Sequence, residues 1–163
     1  MTRSHPSKPI ASSLVTAALL AAAALMLAAL GGQTAYAAND TSPLGLWKTF
    51  DDKTGKPKGI VRIYEDNGAL FGKIERSFVP NADTRTCVLC TDERKNQPII
   101  GLVIMRNMKP AGDAWAGGDI LDPESGSVYH CTIRLENGGA RLVVRGYIGM
   151  PLLGRSQNWE RQD

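Results

Sequence analysis

From residue 42 onward the chain alternates between short stretches of strand length and clusters of turn-forming residues. The turn signals fall at Asp51 to Gly55, Asp66-Asn67-Gly68, Ala111-Gly112-Asp113, Pro123 to Gly126 and Glu136-Asn137-Gly138-Gly139. The stretches between them are rich in β-branched and aromatic residues. They predict strands at Gly45 to Phe50, Lys58 to Glu65, Ala69 to Phe78, Pro98 to Arg106, Ala114 to Leu121, Ser127 to Leu135, Ala140 to Ile148 and Arg155 to Arg161. No segment sustains a helical period. With links of hairpin length almost throughout, the pattern predicts an all-β domain spanning 42–163. Its expected architecture is a single antiparallel up-and-down barrel of about eight strands.

Strand alternation assigns faces. Tyr129, Cys131, Ile133 and Leu135 share one face and are expected inside, opposite Val128, His130, Thr132 and Arg134. By the same rule Leu70, Gly72 and Ile74 face in, while Phe71, Lys73 and Glu75 face out. Ile99 to Met105 is apolar on both faces, so the outer side of that strand is expected to lie under the segment before it. Val79 to Gln97 is the one connection too long for a hairpin, and loops of that length are usually functional or mobile.

The first 37 residues differ in kind. Arg3, His5 and Lys8 give a positive start, Leu14 to Leu30 is an Ala-rich apolar run, and Ala35-Tyr36-Ala37 is a small-residue site. This is the three-part pattern of a cleaved secretory signal peptide over 1–37, with Ala38 or Asn39 as the mature N-terminus. An uncleaved anchor is the alternative, because the run is near the short end of what spans a bilayer. No cysteine precedes Cys87, which removes a lipid-modified cysteine after the run, and no twin arginine precedes it. The expected location is periplasmic or secreted, with no stable membrane insertion after cleavage. The body then sits in an oxidising compartment.

Composition changes the picture in one respect. The whole chain has 19 Lys+Arg and 16 Asp+Glu, but removing Arg3 and Lys8 leaves 17 basic against 16 acidic side chains, a net charge of +1. The basic balance therefore belongs to the leader, and nucleic acid is excluded as an expected partner.

An ordered series of motifs carries a resemblance. It runs Gly45-Leu46-Trp47, Gly72-Lys73-Ile74, Cys87-Val88-Leu89-Cys90, Asn96-Gln97-Pro98-Ile99-Ile100-Gly101, Gly118-x-x-x-Asp122-Pro123-x-x-Gly126, Arg145-Gly146-Tyr147 and Gly154-Arg155-x-Gln157-x-Trp159-x-Arg161. From Ser42 to Arg161 the chain resembles a bacterial family of exported, lipocalin-like proteins catalogued as domain of unknown function 2147. The resemblance implies a small barrel in the cell envelope, but it brings no catalytic residues to carry over. Gly45 and Trp47 correspond to the Gly-x-Trp element that lipocalin-like barrels place at their closed end. Such a tryptophan is often covered by an arginine of the last strand, for which Arg155 and Arg161 are the candidates.

The remaining chemistry is sparse. Cys87 and Cys90 are expected to form a disulfide within the long loop, although either could pair with Cys131. Cys87, Cys90, His130 and Cys131 make a formal metal set, but His130 and Cys131 point to opposite faces of one strand, so no metal is expected. His130 is the sole histidine after the leader and reads as an exterior strand residue. Asp119, Asp122 and Glu124 read as turn residues beside Pro123 and Gly126 rather than as a carboxylate pair. Arg155, Gln157, Trp159 and Arg161 share one face of the last strand. If Trp159 points inward, Arg155 and Gln157 form a polar head-group site among apolar walls, unless Arg155 merely pairs with an acid at the rim. Trp115 and Tyr129 complete the ligand-binding candidates. No catalytic constellation or cofactor motif is present in this reading.

These residues favour a non-enzymatic barrel that binds a small, largely apolar or amphipathic ligand, with room for an anionic group. The first rival is a structural or protein-interaction module of the envelope with a filled interior and an unspecified protein partner; the second, an enzyme or thiol redox protein, would need low-pKa chemistry at Cys87 or Cys90. Eight-stranded barrels allow an open or a filled interior. An open interior of roughly 300 Å³ or more favours ligand binding.

Overall fold

The protein is described here by a computed structural model covering residues 1–2 and 41–162. The signal segment expected over 1–37, with its cleavage site, lies outside the described residues apart from its first two. The chain forms β1 (Gly45–Phe50), β2 (Pro57–Asp66), β3 (Ala69–Ser77), β4 (Val103–Ala111), β5 (Ala114–Asp122), β6 (Ser127–Glu136), β7 (Arg141–Tyr147) and β8 (Arg155–Gln162). These close in sequence order into one antiparallel barrel, with β8 paired back onto β1.

The turn residues explain the hairpins. Asn67 and Gly68 both adopt positive φ, 50° and 75°, as a two-residue turn matched to the twist of its flanking strands requires. Gly112, at φ 68°, takes the first central position of the β4–β5 turn, where only glycine is at ease.

One predicted strand is displaced. The fourth was expected at Pro98 to Arg106 and instead runs Val103–Ala111. Pro98 has no N–H for a ladder, and Gly101, at φ 87°, turns the chain before the strand starts. Ile99 and Leu102 are still buried, but as part of the loop that plugs into the core. The strand then continues past Asn107, whose φ of 58° marks a bulge, and so carries Met108 into the interior. A second bulge, at Gly117 in β5, shifts the register between Trp115 and Gly118.

In β6 and from Leu70 to Ile74 of β3 the alternation holds. Cys131, Ile133, Leu70 and Ile74 are buried, and Gly72 lies against the Met105 side chain. The core also takes in Trp47, Val61, Ile63, Met105, Leu142 and Trp159. The outer face of β4 is covered as expected, because Arg94 from the long connection donates to the Val103 carbonyl at 3.3 Å.

One end of the barrel is sealed by Arg161. Its guanidinium carbon sits 4.4 Å from the centre of the Trp47 ring. It also donates to the carbonyls of Gly139 (2.8 Å), Leu44 (2.9 Å) and Ser42 (2.6 Å). Trp47 donates its indole N–H to the Pro43 carbonyl at 2.8 Å. Gly45 is required here: its φ is 123°, and a Cβ would stand 3.3 Å from Arg161 Nη1. Of the two arginines considered for this role, the structure selects Arg161.

Because Trp47 is fully buried, Trp47→Ala is expected to destabilise the barrel by roughly 3 to 5 kcal/mol, the range for deleting a large buried aromatic. Urea denaturation measures this. A loss under about 1 kcal/mol would mean that the floor does not depend on Trp47.

Candidate functional site

At the end opposite Arg161 the barrel is open. The β1–β2 loop, the β3–β4 connection, the β5–β6 turn and the facing ends of β7 and β8 surround a cavity of about 490 Å³. Its deep wall is apolar, built from Val61, Ile74, Ile104, Leu121, Val144 and Trp159. The Ile104–Met105 pair enters the interior through a further bulge where β4 meets Lys73 of β3.

The mouth is polar. Arg155 forms an ion pair with Asp52, and Gln157 donates to the same carboxylate at 2.6 Å. Gln157 in turn accepts from the Trp159 indole N–H at 3.2 Å, which satisfies the one polar atom of a buried ring. Lys58 pairs with Glu124 at 2.9 Å. Asp51 is turned to its own loop, where hydrogen bonds from Thr54 hold its carboxyl below the usual range. Arg76 and Arg85 also line the mouth, and among the described residues neither has a carboxylate partner.

Four of the five expected ligand residues, Tyr129, Arg155, Gln157 and Trp159, meet at this cavity. Trp115 does not. It sits at the sealed end of β5, opposite Pro110 and Ile133, and packs against the core. The bulge at Gly117 keeps it on the inner face, but the cavity occupies the other end. Arg155 lines the mouth and pairs with the rim acid Asp52, the arrangement that stood as the alternative to a head-group role. Arg76 was missed because the ladder with β2 slips by one residue between Ile74 and Arg76, so the alternation Leu70, Gly72, Ile74 does not carry through to it. Arg85 lies in a loop where no pattern in the sequence could place it.

The long connection is fixed in three ways. Cys87 and Cys90 form a disulfide, with Cα atoms 5.4 Å apart. A bridge between Thr86 and Pro98 zips the segment, supported by Cys87 N–H to the Gln97 carbonyl (2.9 Å) and Ile99 N–H to the Arg85 carbonyl (3.0 Å). Gly126 of the β5–β6 turn then admits the disulfide loop, because a Cβ would fall 2.0 Å from the Leu89 carbonyl oxygen. The third restraint is ionic. Arg94, only 4% exposed, binds Asp92 through two nitrogens, at 3.0 and 2.5 Å, and lies 3.8 Å from Asp119. Arg106 on β4 spans Glu93, Asp92 (3.3 Å) and Asp119 (3.4 Å). The loop is thereby bound to the outer faces of β4 and β5.

Cys131 is a free, buried thiol, and burial followed by the charge of Asp119 pushes it up to about 12. A thiol this reluctant to ionise is a poor nucleophile at neutral pH. His130 is exposed and tilted against Tyr147, with ring centres 5.6 Å apart. Among the described residues no group of three or more His, Cys, Asp or Glu is arranged to hold a metal ion.

A closed eight-stranded meander with a sealed Gly-x-Trp end and an open opposite mouth defines a small lipocalin-like barrel. Residues 45–161 match the family described as "Uncharacterized protein conserved in bacteria (DUF2147)", and the chain belongs to that family. Among solved structures it is similar to protein HP1028 from the human pathogen Helicobacter pylori, described as belonging to the lipocalin family. The two are 18% identical, with a TM-score of 0.65 over 75% of this chain and 84% of that one. At that identity the likeness bears on the fold. No curated protein matches the sequence.

The ionic restraint on the long connection has a pH signature. Arg94, foremost through its side-chain hydrogen bond, holds the Asp92 carboxyl at about 2, against an ordinary 3.8. A lowered folded-state value means that this stabilisation is complete above the ordinary range and is lost as pH falls through the lowered one. Hydrogen exchange should show the 86–98 backbone opening between about pH 4 and pH 2, with Asp92→Asn abolishing that step. A segment equally protected at both pH values would remove Asp92 from this role.

Proposed function

We propose that this chain is a non-enzymatic binding barrel for a small amphipathic molecule, held with its apolar part in the cavity and an anionic group at the mouth. The observation that carries the reading is the cavity. At about 490 Å³ it exceeds the roughly 300 Å³ at which ligand sites begin, and its lining changes from apolar at depth to charged at the rim, where the cations Lys53, Lys58, Arg76, Arg85 and Arg155 narrowly outnumber the carboxylates Asp51, Asp52, Asp122 and Glu124. A barrel that served only as an interaction module would have no need of that space. Arg76 and Arg85 supply charge without a resident counter-ion, while Arg155 and Gln157 are oriented by Asp52.

Export to an oxidising envelope compartment belongs to the same proposal. It is supported by the leader-like pattern over the first 37 residues and by the Cys87–Cys90 bridge, which a reducing cytosol would disfavour. N-terminal sequencing of the protein purified from its own cells should begin at Ala38 or Asn39. A chain that still begins near Met1 would argue for a retained anchor.

Ligand binding is tested with a fluorescent long-chain fatty acid and its neutral alcohol analogue. Arg76→Glu combined with Arg85→Glu should weaken the acid by about tenfold or more, near 1.4 kcal/mol, and change the alcohol by less than about twofold. Both side chains are exposed, so stability should move by no more than about 0.5 kcal/mol. If the wild type binds neither probe, or the double variant weakens both equally, the proposed polarity of the site is wrong.

A further inference from the structure

The exposed large apolar side chains of the barrel are gathered at one end. Apart from Leu44, they are Phe78, Val88, Leu89, Val128 and the β7–β8 loop residues Ile148, Met150, Leu152 and Leu153. Phe78 follows the last residue of β3 at the mouth. Val88 and Leu89 form the tip of the disulfide loop, which packs on the β5–β6 turn beside the mouth residues Pro123 and Glu124. The β7–β8 loop rises from the Gly146–Arg155 pair, both of whose members line the cavity. At the sealed end, the turns Asp66 to Gly68, Gly112-Asp113 and Asn137 to Gly139 are polar.

The β7–β8 loop is built to hold its apolar residues outward. Arg145 donates from Nε to the Pro151 carbonyl (2.7 Å), from Nη2 to the Leu152 carbonyl (3.0 Å) and from Nη1 to Ser156 Oγ (2.9 Å). That clamp anchors the loop from the outer face of β7, where Arg145 lies opposite Ser156, and Leu152 and Leu153 are left 85% and 77% exposed. All three acceptors are neutral, so the charge of Arg145 remains uncompensated. From Asn137 to Trp159 the chain contains no acidic residue and three arginines. Arg76 and Arg85 add two further cations without a carboxylate partner at the same mouth.

Contiguous exposed apolar surface on a soluble domain marks an interaction site. The acids at this end are occupied, Asp52 and Glu124 by Arg155 and Lys58 and Asp51 and Asp122 by their own turns, so the cations without a carboxylate partner are Arg76, Arg85 and Arg145. Apolar tips beside such cations match the interfacial zone of an anionic phospholipid bilayer, where apolar side chains enter the acyl boundary and cations meet phosphates. We infer that the barrel docks mouth-down on an anionic phospholipid surface through Leu152, Leu153 and the neighbouring loop tips. This goes beyond the binding reading, because it needs no ligand in the cavity.

The test is flotation of the mature protein with vesicles of phosphatidylglycerol and phosphatidylcholine, compared with phosphatidylcholine alone. Wild type should float with the anionic vesicles and release in high salt. L152D combined with L153D should lower the vesicle-bound fraction at least tenfold, and M150D alone should lower it severalfold. Neither leucine lines the cavity, so the double variant should still take up the fluorescent fatty acid in vesicle-free buffer, which separates failure of docking from failure of the binding site and reports on folding. Absence of wild-type flotation, or flotation unchanged by L152D/L153D, would overturn the inference. So would a vesicle-free dimer that the same substitutions dissociate, since the patch would then serve a second copy of the chain.

Discussion

Everything in this barrel depends on closing β8 onto β1. An eight-stranded sheet with free edges would expose a row of unpaired backbone groups, and only full closure removes them. Here the closing ladder is short, with Leu46, Trp47 and Lys48 facing Gln162, Arg161 and Glu160. Arg161 compensates for that brevity. From one position on β8 it reaches carbonyls in the segment before β1 and in the β6–β7 turn, and it covers the Trp47 ring. A lysine could supply the charge but not this fan of fixed donors.

A sealed floor allows the other end to stay open. The inner wall can be apolar at depth because Trp47, Met105, Met108 and Leu142 already fill the lower barrel. The mouth then needs the long connection to stay out of it. Arg94 and Arg106 draw that segment onto the exterior of β4 and β5, and the disulfide holds its tip against Gly126. Partly buried ion pairs of this kind are weak stabilisers when compared with apolar packing, but removing the acids would strand the buried charge of Arg94. Their use here is positional: the network determines where the loop lies.

Much of this was legible in the sequence where a local rule acts alone. Asn67-Gly68 and Gly112-Asp113 require tight hairpins, so the neighbouring strands could be placed from turn chemistry. Resemblance supplied the Gly45-Leu46-Trp47 element and narrowed its covering arginine to Arg155 or Arg161, and period-two alternation put Cys131, Ile133, Leu70 and Ile74 inside. The rule failed where bulges intervene. Positive φ at Asn107 and Gly117 changes which residues share a face, and no local pattern announces either. The apolar run Ile99 to Met105 looked like one strand because burial in a plug and burial in a sheet require the same residue types. Trp115 shows a different limit: alternation gives the face of a side chain but not its height along the barrel. Arg94 was illegible because its partners, Asp92 and Asp119, come together only through the fold.

The division between the two ends gives the remaining observations a common cause. A body with net charge +1 looks unremarkable in bulk, yet its exposed apolar side chains and its uncompensated guanidinium groups share the end where the cavity opens. For a molecule with an apolar tail, the main barrier to entering a water-filled mouth from solution is not the cavity itself. Leaving a bilayer through water costs about 0.8 kcal/mol for every methylene that must first be hydrated. A mouth seated on the bilayer surface places apolar loop tips, charged rim and apolar wall in one continuous path, so the tail need not be hydrated on the way. The open cavity and the outward-held Leu152 and Leu153 are then two parts of one route.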